Sequence, residues 1–398
     1  MRIRFLIANA YCHGGTVRAT INTANALADR HQVEIVSVYR RSQESSPYAV
    51  SPKVRMRVLI DLAPSAQRRD AARTGRVARS RIWAKHWALG RASRLMNSHD
   101  VRQGKFSLLA DYKIVKFLRS VDDGVLVATR PMLNLAMARW GRPSVVRIAQ
   151  EHMNLASHDR ELRAAIRALY PRLDAVVTLT PSDARHYTSV LGSSTRILAI
   201  PNSVPRTDQE SARLDSKVVI TAGRLSRRKG FDRLVPAFAK VAAEHPDWQL
   251  QIFGEGPVRS QLQQQIDRLG MGANIQLKGY TSRLGDEMAA SSMFVMSSRL
   301  EGFPMVLLEA IAHGLPIISF DCPTGPRDLI SDGADGLLVP DQDEGALAAA
   351  MERLITDRAL RTSMGAAALA KSAQFEPAST AVRWERLMDE LSAAQRGG

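Results

Sequence analysis

The sequence predicts an α/β protein built from two doubly wound domains, each a parallel sheet flanked by helices. Three observations carry this. Short apolar runs alternate with helical spacing along nearly the whole chain. The alternation restarts after a polar, charged stretch at Ser203–Ser216, which reads as an interdomain linker. Glycine-rich loops stand where strands end and helices begin. The length of 398 residues suits two domains, and a composition 45% apolar and 6% aromatic supplies two cores.

In order, Arg2–Ala10 and Val33–Tyr39 read as strands around a helix over Thr16–Arg30, with Gly14-Gly15 at the strand-to-helix turn. Val54–Ile60 is a third strand. Pro64 to Arg119 interrupts the rhythm as a basic helical insertion, with Arg68, Arg69, Arg73, Arg76, Arg79, Arg81, Lys85, Arg91 and Arg94 interleaved with Trp83, Trp87, Leu89 and Leu95. It reads either as a solvated insertion or as a docking surface for a membrane face or an anionic acceptor. Strands at Gly124–Thr129, Val145–Glu151, Ala175–Thr180 and Arg196–Ile200 then alternate with helices at Met132–Trp140, Asp159–Leu173 and Pro181–Leu191.

The second half repeats the pattern. Strands are expected at Lys217–Thr221, Trp248–Phe253, Ile275–Leu277, Met293–Met296, Leu315–Phe320 and Gly336–Val339, with helices at Phe231–Glu244, Val258–Leu269 and Leu284–Ala290. Expected boundaries are 1–204, 205–375 and a final helix over 376–398, whose Trp384, Leu387 and Leu391 share one face.

The net charge of +16 favours polyanionic partners, whether nucleic acid, anionic lipid or anionic polymer. Apolar runs are broken too early to span a membrane, and the alternating N-terminal segment reads as a buried strand rather than a signal peptide. Cys12 and Cys322 lie far apart without metal-like neighbours, which fits a reduced cytoplasmic protein. For a nucleic-acid-binding protein the chain offers only charge, with no stacking platform or known motif.

In doubly wound sheets ligands bind beyond the carboxyl ends of the strands, where several candidates fall. In AGRLSRRKG, Arg224 and Lys229 place two cations in a loop suited to a diphosphate, whose negative charge grows as it departs. In GEGP, Gly254 and Gly256 permit close backbone approach, and Pro257 suits a first helical position. Gly15 stands at a helix N-terminus, where anions are favoured, although no third glycine follows at Arg18. His152 closes a strand.

The stretch SRLEGFPMVLLEA holds Glu301 in a loop and Glu309 inside a helix opened by Pro304. If both were helical the two would lie about 12 Å apart along the axis, wider than the roughly 5–10 Å of a glycosidase pair. That spacing suits gripping two polyols of one extended ligand, with first-turn amides such as those of Phe303 and Val306 facing its anionic middle. Glu309 sits among Leu307, Leu308 and Ala310, where a partnerless buried carboxylate would be costly.

The motifs GRLSRRKG, IFGEGP, EGFPMVLLE, FDCPTGPRDLI and DGLLVP, in this order over Lys217–Asp343, resemble retaining glycosyltransferases of family 4. The first half matches more loosely, through Gly14-Gly15, EHMN and PNSV. The resemblance implies the GT-B fold, two Rossmann-like domains facing a cleft with the last helix crossing back. It implies a ribose-binding role for Glu309, donor-sugar contact for Glu301, a diphosphate clamp of Arg224 and Lys229, and a cleft histidine at His152. Backbone contacts would come from Gly15, Gly254, Phe303, Pro304 and Met305, and Glu255 would lie on the base side.

The implied donor is a nucleotide sugar, most like a UDP-hexose or UDP-N-acetylhexosamine, with no cofactor and no metal site. GDP-mannose is the alternative donor, and a sugar-nucleotide epimerase the alternative enzyme on the same fold. The implied acceptor is anionic or lipid-linked: a glycan at the inner membrane leaflet or a polyol-phosphate wall polymer of the cell envelope.

Overall fold

The computed structural model describes residues 1–42, 45–66, 83–85, 87–95, 106–193, 195–205 and 211–397. The chain divides into two compact units, one formed by Met1–Asn202 with Thr380–Gly398 and the other by Ser203–Ser379.

The first unit holds seven strands: β1 (Arg2–Ile7), β2 (Gln32–Arg40), β3 (Arg55–Asp61), β4 (Val125–Ala128), β5 (Val146–Gln150), β6 (Ala175–Thr178) and β7 (Arg196–Ala199). They form one parallel sheet in the order β3-β2-β1-β4-β5-β6-β7. Helices on both faces bury both sides of the central strands, so these read as continuous apolar runs. Side chains alternate between faces along each strand. Leu6, Val36 and Leu126 therefore join the core under helices Leu108–Ser120 and Pro131–Trp140, while Ile3, Phe5 and Ile7 point to the opposite core. That second core is closed by helix Gly15–Leu27 and by Trp384, Leu387, Met388 and Leu391 of the helix Pro377–Gly397. Trp384 is 1% exposed and meets Phe5 edge-on at 6.4 Å.

The second unit holds β8 (Val218–Ala222), β9 (Gln249–Phe253), β10 (Ile275–Gly279), β11 (Met293–Met296), β12 (Ile317–Phe320) and β13 (Gly336–Val339). All are parallel, in the order β10-β9-β8-β11-β12-β13. In both sheets the order reverses beside the first strand, between β1 and β4 and between β8 and β11. These are the topological switch points where doubly wound folds bind ligands.

Several expected elements shift. The first helix is Gly15–Leu27 rather than Thr16–Arg30, and the helix from Asp159 ends at Leu169, followed by a 3-10 turn at Tyr170–Arg172. Pro257 is not a first helical residue, because that helix opens at Arg259. Pro304 is the cap of helix Met305–Ala312 rather than its first residue. The expected linker Ser203–Ser216 is in part docked: Leu214 is buried, and Arg361 Nε donates to its carbonyl at 3.1 Å.

The expected insertion at Pro64–Arg119 is also narrowed. Helix Leu108–Ser120 buries Ala110, Ile114, Phe117 and Leu118 as the regular crossover before β4. The charges of Lys113, Lys116 and Arg119 disguise its apolar face. Arg68, Arg69, Arg73, Arg76, Arg79 and Arg81 lie outside the described residues.

Candidate functional site

The second unit's switch point gathers most of the candidates. The loop after β8 runs from Gly223 to Gly230 and the loop after β11 from Ser297 to Pro304. Lys229 Nζ donates to Glu301 Oε1 at 2.6 Å, and Ser298 Oγ donates to the same oxygen at 2.7 Å. Glu301 is only 4% exposed. Burial raises its pKa, but the Lys229 charge and hydrogen bond, with Ser298, outweigh this and hold the carboxyl below its usual range. Glu301 is thus a carboxylate at neutral pH despite its burial. The stem of Lys229 passes over the backbone of Gly223, where an added Cβ would lie 3.2 Å from its Cε.

Two further loops close on this pair. Gly254, just past β9, has φ +129°, and a Cβ there would lie 2.0 Å from the Gly223 carbonyl oxygen. Gly256 crosses Leu225 as closely, since a Cβ there would lie 2.2 Å from the Leu225 carbonyl oxygen, and Leu225 N donates to the Glu255 carbonyl at 2.9 Å. The glycines of GEGP therefore let the β9 loop lie directly on the β8 loop. On the other side, Thr324 Oγ1 donates to the Glu301 carbonyl at 2.7 Å, and Gly325 lies against Gly302 and Pro304. Cys322, in this loop, is buried, and burial with the nearby Glu301 carboxylate pushes its thiol up to about 12.

The remaining candidates of this unit flank that core. Arg224 is exposed and, among the described residues, has no hydrogen-bond or ion-pair partner. Phe303 and Pro304 are buried. The amides of Met305 and Val306 open helix Met305–Ala312, where first-turn N–H groups have no intrahelical acceptor. Glu309 lies one turn into the helix and is half-buried. It is not without interactions, so the expected cost of a partnerless buried carboxylate does not apply to it. Glu255 is exposed, with Arg259 Nη1 3.6 Å from its Oε1. Sequence reasoning missed Ser298 and Thr324. The signal available for Ser298 was its place, two residues past a strand at the switch point.

Gly15 and His152 belong to the first unit. Gly15 opens a 13-residue helix and is exposed. His152 follows β5 by two residues, and its Nε2 is buried and, among the described residues, without a hydrogen-bond partner. Burial and the Arg130 charge pull its pKa down to about 3, so the imidazole is neutral at physiological pH. The preceding Glu151, 1% exposed, accepts from Asn134 Nδ2 at 2.8 Å and from the Tyr170 hydroxyl. That buried carboxylate was not singled out from sequence, since its partners lie on two other elements. Among the described residues no group of three or more His, Cys, Asp or Glu side chains is placed to hold a metal ion.

Residues 205–371 match the family model Glycosyl transferases group 1. The chain is 35% identical over 98% of its length to an exopolysaccharide phosphotransferase of Streptomyces coelicolor, but spans only 41% of that relative. It is 28% identical over 74% of its length to the amylovoran biosynthesis glycosyltransferase AmsD of Erwinia amylovora, covering 86% of it. Among solved structures it is similar to S. aureus TarM in complex with fondaparinux, alpha-GlcNAc-glycerol and UDP, with TM-score 0.75 and 15% identity. The match covers 98% of this chain and all of that one, and it shows the fold: two parallel-sheet, Rossmann-like domains of the GT-B kind.

Proposed function

We propose that this chain, whose residues 205–371 match the Glycosyl transferases group 1 family model, moves a hexose or N-acetylhexosamine from a UDP-sugar to a hydroxyl of a cell-envelope glycan, with retention at the anomeric carbon. The observation that carries this reading is the Lys229–Glu301 pair at the switch point, with Arg224 exposed in the same loop and, among the described residues, without a partner. An ammonium has three donors, and Lys229 gives one to Glu301, leaving two for phosphate oxygens. TarM, bound to UDP in its solved complex, and AmsD, named for amylovoran biosynthesis, support the donor and acceptor classes. The phosphotransferase name attaches to a relative of which this chain spans less than half, so we prefer glycosyl transfer.

In this mechanism the bond from the anomeric carbon to the leaving phosphate oxygen breaks while the acceptor hydroxyl attacks from the same face. The hydroxyl's proton passes to that phosphate oxygen. Arg224 and Lys229 stabilise the charge growing on the diphosphate. Glu301 contacts donor-sugar hydroxyls and offsets positive charge at the anomeric carbon, and Glu309 binds the ribose. We assign neutral His152 a hydrogen bond to a sugar hydroxyl and Glu255 a place on the base side. Backbone groups of Gly15, Gly254, Phe303, Pro304 and Met305 contact sugar or phosphate.

We also assign the first unit a basic docking surface for the anionic inner membrane leaflet or a lipid-linked acceptor. Among the described residues no helix is long and apolar enough to cross a membrane. Residues 83–85 and 87–90 are helical, and Trp83 and Trp87 are 69% and 49% exposed. The Arg91 guanidinium lies 5.1 Å from the Trp87 ring centre. Exposed tryptophans beside basic residues suit the headgroup level of an anionic bilayer.

The test is nucleotide release from UDP-, GDP-, ADP- and TDP-sugars, with and without anionic vesicles and lipid-linked glycans. The reading expects release from a UDP-sugar, loss in Glu309→Ala, and an α- or β-linkage in the product matching the donor's. An inverted linkage refutes retention, and no release with any donor and acceptor refutes glycosyl transfer. Vesicle binding that is unchanged by Trp83→Ala/Trp87→Ala refutes the docking surface.

A further inference from the structure

We propose that Arg299 is a positioning residue for Lys229, holding its ammonium at the diphosphate; the inference rests on the role assigned to Lys229 above. The turn Arg227–Lys229 is a single 3-10 turn, and a lysine on an isolated turn would sweep a wide volume. Here all three of its carbonyls are gripped by the loop after β11. The Arg227 carbonyl accepts from Arg299 Nη1 at 2.6 Å, the Arg228 carbonyl from Arg299 N at 2.8 Å, and the Lys229 carbonyl from Ser297 Oγ at 3.1 Å.

The same guanidinium forms a two-pronged pair with Asp232 in the next helix, Nη1 to Oδ1 at 2.7 Å and Nη2 to Oδ2 at 2.6 Å. Arg299 hydrogen bonds hold the Asp232 carboxyl below its usual range. Gly230 then closes the turn at φ +67°, where a Cβ would lie 1.9 Å from the Ser297 carbonyl oxygen. The turn is thus held on the end of β11, its first carbonyl and the Asp232 carboxylate beyond it tied by the Arg299 side chain and its last carbonyl by Ser297.

Only a guanidinium does this. Its planar fork serves a carboxylate and a carbonyl at once, whereas an ammonium is a single point. The bland alternative is a half-exposed ion pair that steadies the start of helix Phe231–Glu244, worth little at the surface. The two readings differ in whether Arg299 acts through Lys229.

A double-mutant cycle decides between them. Arg299→Ala is expected to lower kcat about 100-fold, the scale of misplacing a catalytic group by about 1 Å, with a smaller change in donor KM. In a Lys229→Ala background the same substitution should add less than about twofold. Arg299→Lys should fail to restore kcat. Full multiplication of the two losses, or an unchanged kcat in Arg299→Ala, would overturn the proposal.

A second arm needs no turnover. The Lys229 amine is acylated with an amine-reactive reagent and its labelling rate read by mass spectrometry against exposed Lys240. Arg299→Ala should speed labelling of Lys229 several-fold and leave Lys240 unchanged. Equal rates would refute the positioning role even if the wild-type protein released no nucleotide from any donor, an outcome that sinks only the functional reading.

Discussion

Replacing Lys229 with Met leaves the Glu301 carboxylate enclosed, with the Ser298 hydroxyl still donating to it. Breaking one side of a buried pair costs about 3–5 kcal/mol if the other charge stays. Glu301 has an escape, because it can take up a proton. From an unfolded reference of 4.5, holding that proton at pH 7.0 costs at most about 3.4 kcal/mol, and at pH 5.5 about 1.4 kcal/mol. The variant's deficit against wild type should therefore shrink by about 2 kcal/mol between those pH values. In the wild type the sign is opposite: the carboxyl is held low, so its stabilisation is present above pH 4.5 and lost as pH falls below it. Adding Glu301→Gln to Lys229→Met should remove most of the pH dependence. The assay is hydrogen exchange of peptides from β8 and β9, which reports the second unit alone. A deficit that is the same at both pH values, or a double variant that keeps the slope, would refute charge compensation by Lys229.

Gly254→Ala should destabilise the second unit by more than about 3 kcal/mol, because its φ of +129° and the Gly223 carbonyl both exclude a Cβ; urea unfolding within about 1 kcal/mol of wild type would contradict that packing. His152, with a folded pKa of about 3 against 6.5 unfolded, contributes stability above pH 6.5 that is lost as pH falls, about 1.4 kcal/mol by pH 5.5. His152→Gln should flatten the stability profile of the first unit between pH 6.5 and 5.5, and an unchanged slope would mean that the imidazole takes up its proton freely. Alkylation should leave Cys322 unmodified in the folded protein at pH 8 and reach it in urea; rapid labelling of the native thiol would show that the loop around Glu301 is open.

The strands were legible because a parallel strand buried on both faces must be apolar along its whole length, as FLI in β1 and MFVM in β11 are. The loop positions of Arg224, Lys229 and Glu301 were legible for a related reason: each falls just past such a run. What the sequence does not carry is which loops touch. Nothing local in GRLSRRKG says that its carbonyls meet Ser297 and Arg299, some seventy residues on. Helix starts were blurred where a proline suits both a cap and a first turn, as at Pro304, or lies just before the helix, as at Pro257. The charges on helix Leu108–Ser120 concealed its apolar stripe, because Lys and Arg occupy its outer face beside Tyr112, itself 59% exposed.

The helix that carries Trp384 has a consequence for synthesis. The slot over Phe5 belongs to a sheet complete in sequence by Ala199, yet the side chains that fill it are made only after the second unit. During translation the whole of the second unit emerges before that slot is covered. For this interval the first unit presents an apolar strip along β1 and helix Gly15–Leu27 that the finished protein never shows. Nascent chains stalled before residue 380 should therefore be chaperone clients, while stalls placed far enough downstream for Leu391 to emerge should end that dependence.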